Sequence, residues 1–392
     1  MTPEPLLATA AQRWGTPVYV TDLDAAAAHL RDWQRAFPGA LIAYAVKANS
    51  DPQLLRRLVA DGSGVEVVTA VELALARRAG CPGERIVMNG VGKRDEEIHL
   101  ALEAGALVNA ESLDELAAIL RLARAHERPR VGLRLNPALD AATHPHLATG
   151  AANSKFGIAL EDLPQALAAL PEPASVGAHI GSAIESTQAH AQLVRLLADA
   201  AATASAHGLP PARVDLGGGL LEADAKALSA LAAAVAAHLP DPARLILEPG
   251  RSLVADAGWL LTRVVRVQPR PDVGCTYLVA DAGMTELIRP MLYGAVHPVS
   301  LVAPGAALAL EAETAVHLAG PVCEAGDIVA RDLDRWLSAD ELARAGDGAL
   351  LAIGRAGAYG AAMASVYNGR LRPPEVVLEG GGLRLSRRRE TL

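Results

Sequence analysis

Leu41-Ile42-Ala43-Tyr44-Ala45-Val46-Lys47-Ala48-Asn49-Ser50 runs a short apolar stretch straight into a lysine and then into a polar turn. The segment 41–46 has the length and composition of a buried strand. A lysine closing such a strand is an unusual placement, because burying an ammonium group is costly. Either the amine reaches solvent, or a site uses it. A desolvated lysine gives up its proton more readily and becomes a nucleophile toward aldehydes. On this stretch alone, a strand-end lysine that simply reaches water is an equal alternative.

The same strand-then-turn unit recurs on both sides of this segment. Further strands are expected at 64–68, 85–88, 106–108, 130–135, 175–180, 212–216 and 244–247, each a brief apolar run. Between them lie longer amphipathic, alanine-rich patterns at 52–60, 70–79, 95–103, 112–125, 163–170, 188–207 and 223–239, with an eighth helical stretch expected at 254–260. Eight strands, each followed by a helix, is the pattern of a (β/α)8 TIM-type barrel within the α/β class. A doubly wound open sheet shares this rhythm and stays open as an alternative. Residues 1–29 read as one short helix-like segment and one strand at 17–20. Beyond about residue 262 the pattern turns to short strands between Gly and Pro turns, at 264–267, 276–280, 299–302, 308–314, 328–330 and 350–353, with one helix near 339–345. The expected organisation is a barrel domain over 30–262 and a discontinuous, mainly-β domain built from 1–29 and 263–392.

The bulk properties exclude several functional classes. Among 392 residues the formal net charge is −8, so no global field favours nucleic acid. Arg387-Arg388-Arg389 reads as a solvated tail. No uninterrupted apolar run reaches the ~18 residues of a membrane span, and the N-terminus lacks the basic and apolar regions of a signal peptide. Cys81, Cys275 and Cys323 show no metal-binding spacing, and a sparse, odd count suits a reducing compartment. The expectation is a cytoplasmic, soluble protein with no bound metal and no nucleic-acid or membrane partner.

In a barrel the chemistry gathers at the C-terminal ends of the strands. Lys47, Asn136, His179, Gly217-Gly218-Gly219 and Glu248-Pro249-Gly250-Arg251 all fall there. Three consecutive glycines let backbone N–H groups approach an anion closely, and barrels often hold phosphate after their last two strands. A merely flexible turn is the alternative for an isolated glycine run. His179 alone is equally a satisfied strand-end histidine, and Glu248 equally a cap or an arginine partner. Neither Gly90-Val91-Gly92-Lys93-Arg94 nor the glycines at 354, 357 and 360 follow a nucleotide-binding pattern. A lysine, a phosphate cradle, a flat imidazole and a carboxylate on one rim together suggest pyridoxal 5'-phosphate. Lys47 would form the Schiff base, and Glu248 would keep the pyridine nitrogen protonated.

These residues carry a resemblance. Tyr44-Ala45-Val46-Lys47-Ala48-Asn49, Asn153-Ser154-Lys155-Phe156-Gly157, His179-Ile180-Gly181-Ser182, Asp215-Leu216-Gly217-Gly218-Gly219 and Glu248-Pro249-Gly250-Arg251 resemble motifs of the fold-type III pyridoxal-phosphate enzymes, the alanine racemase-like barrels. Asp281-Ala282-Gly283-Met284, Ile288-Arg289-Pro290 with Tyr293, Cys323-Glu324-Ala325-Gly326-Asp327, Gly357-Ala358-Tyr359-Gly360 and Tyr367-Asn368 extend the resemblance nearly end to end. It is closest to the meso-diaminopimelate decarboxylases, which make L-lysine.

The resemblance implies roles. Lys47 carries the cofactor, His179 stacks on its ring and Glu248 faces the ring nitrogen. Ser182, Gly218, Gly219 and Tyr359 hold the phosphate, beside Gly250 and Arg251. Arg251, Arg289, Tyr293, Glu324 and Tyr359 contact the substrate, and Cys323 donates a proton to the carbanion. Cys323 and Glu324 would come from the partner subunit of a homodimer with shared sites. Racemases of this fold set an arginine against the ring nitrogen, so a glutamate favours decarboxylation. Ala183 and Ala325 depart from the family's usual residues and blur the substrate. The rival activities are decarboxylation of another basic amino acid or a carboxylated polyamine. A non-catalytic cofactor carrier is the rival of a different class, but it would resemble the barrel alone.

Overall fold

The computed structural model describes residues 4–139, 149–151, 153–170, 172–184, 187–221, 223–239, 241, 244–310 and 314–392. The chain divides into two units, 27–253 and 1–26 with 254–392. It opens with helix α1 (Glu4–Trp14), strand β1 (Val18–Asp22) and helix α2 (Leu23–Ala36). The barrel unit continues with β2 (Leu41–Ala45), α3 (Pro52–Ala60), β3 (Gly64–Val67), α4 (Ala70–Arg78), β4 (Ile86–Met88), α5 (Asp95–Glu103), β5 (Leu107–Ala110), α6 (Leu113–Ala123) and β6 (Arg130–Asn136). After the two-residue β7 (Ile158–Ala159) come α7 (Leu163–Ala169), β8 (Ser175–Gly177), α8 (Thr187–Ala206), β9 (Arg213–Asp215), α9 (Ala225–His238), β10 (Leu245–Leu247) and the single turn α10 (Arg251–Val254).

Eight strands pair in the order β5-β4-β3-β2-β10-β9-β8-β6, and β5 also pairs with β6, which closes the sheet. All of these ladders are parallel. Closure settles the barrel against the open sheet. The helices start where the sequence places local acceptors. Asp51 accepts from the N–H groups of Gln53 and Leu54 at the head of α3, Thr69 caps α4, Ser112 caps α6 and Asp224 caps α9. One layer of the interior is apolar, with Leu41, Ala43, Val87, Leu107 and Ile246 packed together. Toward the C-terminal ends of the strands polar side chains replace it.

Two expectations fail around this unit. The eighth helix does not follow the last strand. It is α2, which precedes the first barrel strand and which the sequence reading missed. Asp22 Oδ1 accepts from the N–H groups of Asp24 and Ala25 at 2.9 and 3.0 Å, and Leu23, Ala26, Ala27, Leu30 and Trp33 line the buried side at helical spacing. The helix expected at 254–260 reduces to the one turn of α10. From Gly258 the chain is instead a 13-residue strand, β11 (Gly258–Arg270). Its run of Trp, Leu, Thr and Val suits a pleat, and antiparallel pairing with β1 overrides the alanine-rich start. The division therefore falls at 253/254 rather than 262/263, and at 26/27 rather than 29/30.

The second unit adds β12 (Cys275–Ala280), α11 (Arg289–Tyr293), β13 (Val299–Ala303), β14 (Ala315–Ala319), β15 (Ile328–Ala330), α12 (Ala339–Leu342), β16 (Leu350–Ile353), β17 (Glu375–Glu379) and β18 (Gly382–Arg387). Its sheet runs β15-β14-β12-β11-β1-β17-β18, with β16 joining β11 and β13. The N-terminal strand β1 sits between β11 and β17, as a discontinuous domain requires. Both faces are buried. Tyr19, Leu260, Leu351 and Ile353 enter one core, and Val18, Val20, Leu261, Leu350 and Ala352 enter another. Strict alternation along each strand produces this division.

The strand expected at 308–314 is not found at 308–310, and 311–313 lie outside the described residues. The strand there is β14. The β17–β18 hairpin went unread, although Gly380-Gly381, both at positive φ, is a two-residue turn signal. Nor do the terminal arginines form a solvated tail. Arg387 pairs with Glu375, and Arg389 donates to the carbonyls of Trp14 and Pro17.

Ile246 is fully buried in the apolar barrel layer. Ile246→Ala is expected to destabilise the barrel by roughly 2–5 kcal/mol, because the vacated volume cannot collapse onto eight hydrogen-bonded strands. A lowered melting temperature in calorimetry checks this.

Candidate active site

Strand β2 ends at Ala45, and Val46–Ala48 turn as a short 3-10 helix that lifts Lys47 onto the rim. The Lys47 side chain is 41% exposed, so the amine reaches solvent. It is also held: Nζ lies 2.8 Å from Glu66 Oε2 on β3. The sequence reading did not name Glu66. The signal was there, as a lone acid in an otherwise apolar strand.

His179 follows β8 and is half-buried, and desolvation pushes its pKa well below the ordinary imidazole range; the charges of Arg134 and Lys47 push in the same direction. The ring is therefore neutral. Its Nδ1 accepts from the Gly218 N–H at 3.1 Å, which places the imidazole proton on Nε2. The backbone amide of Gly218 is thus already engaged, and this glycine contributes by giving room. A Cβ there would stand 2.3 Å from the Glu248 carbonyl oxygen. Gly219, at φ +113°, would bring a Cβ within 2.5 Å of the Gly181 carbonyl. The loops after β8, β9 and β10 are packed backbone on backbone, which only glycine permits. Arg251 Nη2 donates to Ser182 Oγ at 3.0 Å, joining two of the expected phosphate residues. Gly250 packs on Ala45 and Ala48 beside the Lys47 turn.

Glu248 follows β10 and is buried next to Asp215 at the end of β9. Burial first, then the neighbouring Asp215 and Glu66, push the Glu248 pKa well above the usual carboxylate range. Burial likewise raises Asp215 to about 6, against the pull of the Gly217 N–H and of its hydrogen bond with Glu248. Both carboxyls thus hold a proton more tightly than an exposed acid would. Asn89, Asn109, Arg134 and Asp215 line a small cavity together with His179 and Glu248. Arg134 Nη1 pairs with Glu111 Oε1 at 2.9 Å, and its guanidinium lies over Phe156 at 4.9 Å. The sequence reading missed this layer of polar side chains, which shows only as isolated polar residues on apolar strands.

In the second unit Arg289 is buried, with its guanidinium 5.6 Å from the ring centres of both Tyr293 and Tyr359. Tyr359 sits at φ +59°. Cys323 is exposed, and its N–H donates to Asn368 Oδ1 at 3.1 Å. Glu324, next to it, is also exposed. The barrel thus gathers Lys47, His179, Ser182, Gly218, Gly219, Glu248, Gly250 and Arg251 on its rim. The second unit gathers Arg289, Tyr293 and Tyr359, and carries Cys323 and Glu324 on a separate segment. Among the described residues no group of three or more His, Cys, Asp or Glu side chains could hold a metal ion.

The donor set fits pyridoxal phosphate. An amine stands on the rim for the aldehyde, glycines draw the backbone of three loops together beside Ser182 and Arg251 for the phosphate, and a buried carboxyl pair of raised pKa lies nearby. Comparison with known proteins agrees. Residues 23–255 match the pyridoxal-binding domain of the pyridoxal-dependent decarboxylases. A diaminopimelate decarboxylase of Deinococcus radiodurans is 44% identical, over 98% of this chain and 96% of its own length. One from Neisseria meningitidis serogroup A is 39% identical, over 97% and 94%. The crystal structure of diaminopimelate decarboxylase from Helicobacter pylori complexed with L-lysine superposes with a TM-score of 0.87 at 32% identity, covering 98% of this chain and 96% of that one.

Gly218→Ala is expected to weaken cofactor binding by at least about tenfold, since the Cβ meets backbone that cannot swing aside. Titration of the cofactor-free protein with pyridoxal phosphate, followed by visible absorbance, measures it.

Proposed function

The chain belongs to the diaminopimelate decarboxylases of the pyridoxal-dependent family, and from that premise we propose that it converts meso-2,6-diaminopimelate to L-lysine and CO2. The observation that carries this reading is the buried Glu248–Asp215 carboxyl pair at the ends of β10 and β9. An acid in that place keeps the ring nitrogen protonated, which suits loss of CO2 rather than racemisation.

Bound pyridoxal phosphate supplies an electron sink for the pair left on Cα when the carboxylate departs. The chain's own residues do the rest. Lys47 provides the amine that carries the cofactor, and Glu66 holds that amine in one place. His179 presents a flat, neutral ring whose orientation the Gly218 amide fixes. Glu248 would face the ring nitrogen and hold it protonated, with Asp215 beside it. Ser182, Gly218, Gly219 and Arg251 would receive the phosphate, with Gly250 giving the backbone its close approach. Arg289 and Tyr293 orient a substrate carboxylate. A distal carboxylate is what separates diaminopimelate from ornithine, arginine and lysine, and a guanidinium matches it through two parallel hydrogen bonds.

Cys323 delivers a proton to Cα, with Glu324 beside the substrate amine, and both reach the site from the partner subunit of a homodimer. The surroundings of that segment support the dimer. Met291, Leu292, Val296, Val366, Tyr367 and Leu371 are all exposed in the second unit. Tyr367 adjoins Asn368, the hydrogen-bond partner of Cys323, and Met291 packs near Gly326. Exposed apolar groups clustered this way mark a protein–protein surface. Three free cysteines support a reducing, cytoplasmic setting. Among the described residues no helix is long and apolar enough to cross a membrane.

CO2 release from meso-diaminopimelate, ornithine, arginine and lysine, measured side by side on cofactor-loaded protein, is expected to be fastest for meso-diaminopimelate. A faster rival substrate overturns the assignment. Cys323→Ala should lower kcat by about 100-fold or more, the scale of a lost general acid, while the visible spectrum of the bound cofactor persists. Mixing the inactive Lys47→Ala and Cys323→Ala proteins should restore part of the activity through mixed dimers that hold one intact site. No recovery at all would exclude shared sites.

A further inference from the structure

Asn89 stands directly after β4 and is buried. Its backbone N–H is engaged by the Val67 carbonyl at 3.0 Å. Its side chain bridges two carboxylates. Nδ2 donates to Glu248 Oε1 at 2.8 Å and reaches Glu66 Oε1 at 3.4 Å. Glu66 holds Lys47 through its other oxygen. One amide group therefore ties the lysine end of the site to the ring-nitrogen end.

The orientation of that amide is set from behind. Asn89 Oδ1 accepts from Asn109 Nδ2 at 2.9 Å, and Asn109 Oδ1 accepts from Ser175 Oγ at 2.8 Å. The chain of bonds crosses from β4 through β5 and past β6 to β8. It fits because β6 carries Gly132 at the crossing. A Cβ there would stand 2.1 Å from Ser175 Oγ and 2.2 Å from Asn109 Oδ1. If Asn89 turned over, its carbonyl oxygen would face the Glu66 carboxylate, and its N–H2 would face that of Asn109. Both contacts are repulsive, and a buried amide cannot offset them with water.

We propose that Asn89 is a positioning residue for the decarboxylation, held by Asn109 and Ser175 so that it caps Oε1 of Glu248 and keeps Glu248 and the Lys47–Glu66 pair aligned on opposite ends of the cofactor ring. This rests on the reading that pyridoxal phosphate sits on the rim with Glu248 at its ring nitrogen. With Oε1 engaged by Asn89, Oε2 is the oxygen of Glu248 left for a further partner. The Asn89 side chain bonds Glu248, Glu66 and Asn109, none of them assigned to the phosphate or the substrate carboxylate, so its loss is expected to act on the chemical step and not on binding.

The test uses the loaded enzyme and three variants: Asn89→Ala, Ser175→Ala and the two combined. Asn89→Ala is expected to lower kcat about 10- to 100-fold, the scale of leaving one buried acceptor without its donor, with KM unchanged within about twofold. The visible circular dichroism of the bound cofactor should change as the ring loses its alignment. Ser175→Ala should shift kcat and dichroism in the same direction by a smaller factor, and the double variant should be no worse than Asn89→Ala alone, because the two act through one chain. Wild-type kcat in Asn89→Ala, or losses that multiply in the double variant, would overturn the proposal. If Asn89→Ala does not fold, Ser175→Ala decides, and unchanged kcat and dichroism in it would equally overturn the proposal. Absence of turnover in the wild type would sink the decarboxylase reading instead. The dichroism of the variants would still decide the role of Asn89, since an unchanged signal in both removes it.

Discussion

The barrel mouth depends on one constraint: four carboxyl groups, from Glu66, Glu111, Asp215 and Glu248, are buried around two cations, Lys47 and Arg134. Buried charge without a partner is too expensive to keep. Two of the acids meet the requirement by pairing, Glu66 with Lys47 and Glu111 with Arg134. The other two lie side by side, and their pKa values rise, burial being the first cause. A buried acid of raised proton affinity thus stands where the proposed reading sets the pyridine nitrogen. The amide and hydroxyl groups behind it are there for the same reason, since each remaining lone pair in this dry interior requires a donor.

Backbone proximity is the second requirement. The loops after β8, β9 and β10 approach so closely that side chains at 218 and 219 would collide with carbonyl oxygens. That closeness brings the Gly218 amide onto His179 and keeps its ring neutral and oriented. The glycine run thus acts in two ways. It lets the loops after β8, β9 and β10 close on one another, and it sets the tautomer of the histidine beside it. A flexible-turn reading of three glycines explains neither.

Much of this was legible in the sequence. The strand–helix rhythm located all eight barrel strands and seven of the helices between them. Lys47, the glycine run, His179 and Glu248 stood out because they sit where apolar strands end. The failures share a cause. At Gly258 the local composition suggested a helix, but β1 lies more than two hundred residues earlier and pairs with that segment. Helix α2 was missed because a barrel is expected to begin with a strand. The terminal arginines looked solvated because their partners, Glu375 and the carbonyls of Trp14 and Pro17, are set by tertiary folding.

By itself, then, the sequence determined the repeating unit, the rim on which the chemistry lies and the kinds of group on it, because periodicity, capping and the cost of burying a lysine or an acid are local properties. Only the tertiary structure decided which polar residues meet. Glu66 meets Lys47 across neighbouring strands, Asp215 meets Glu248 across β9 and β10, and Asn89 reaches from the end of β4 across the barrel mouth to Glu248, 159 residues away in the chain. The closed sheet buries these carboxyl groups together, and burial first, then their mutual proximity, raises the pKa values of Asp215 and Glu248.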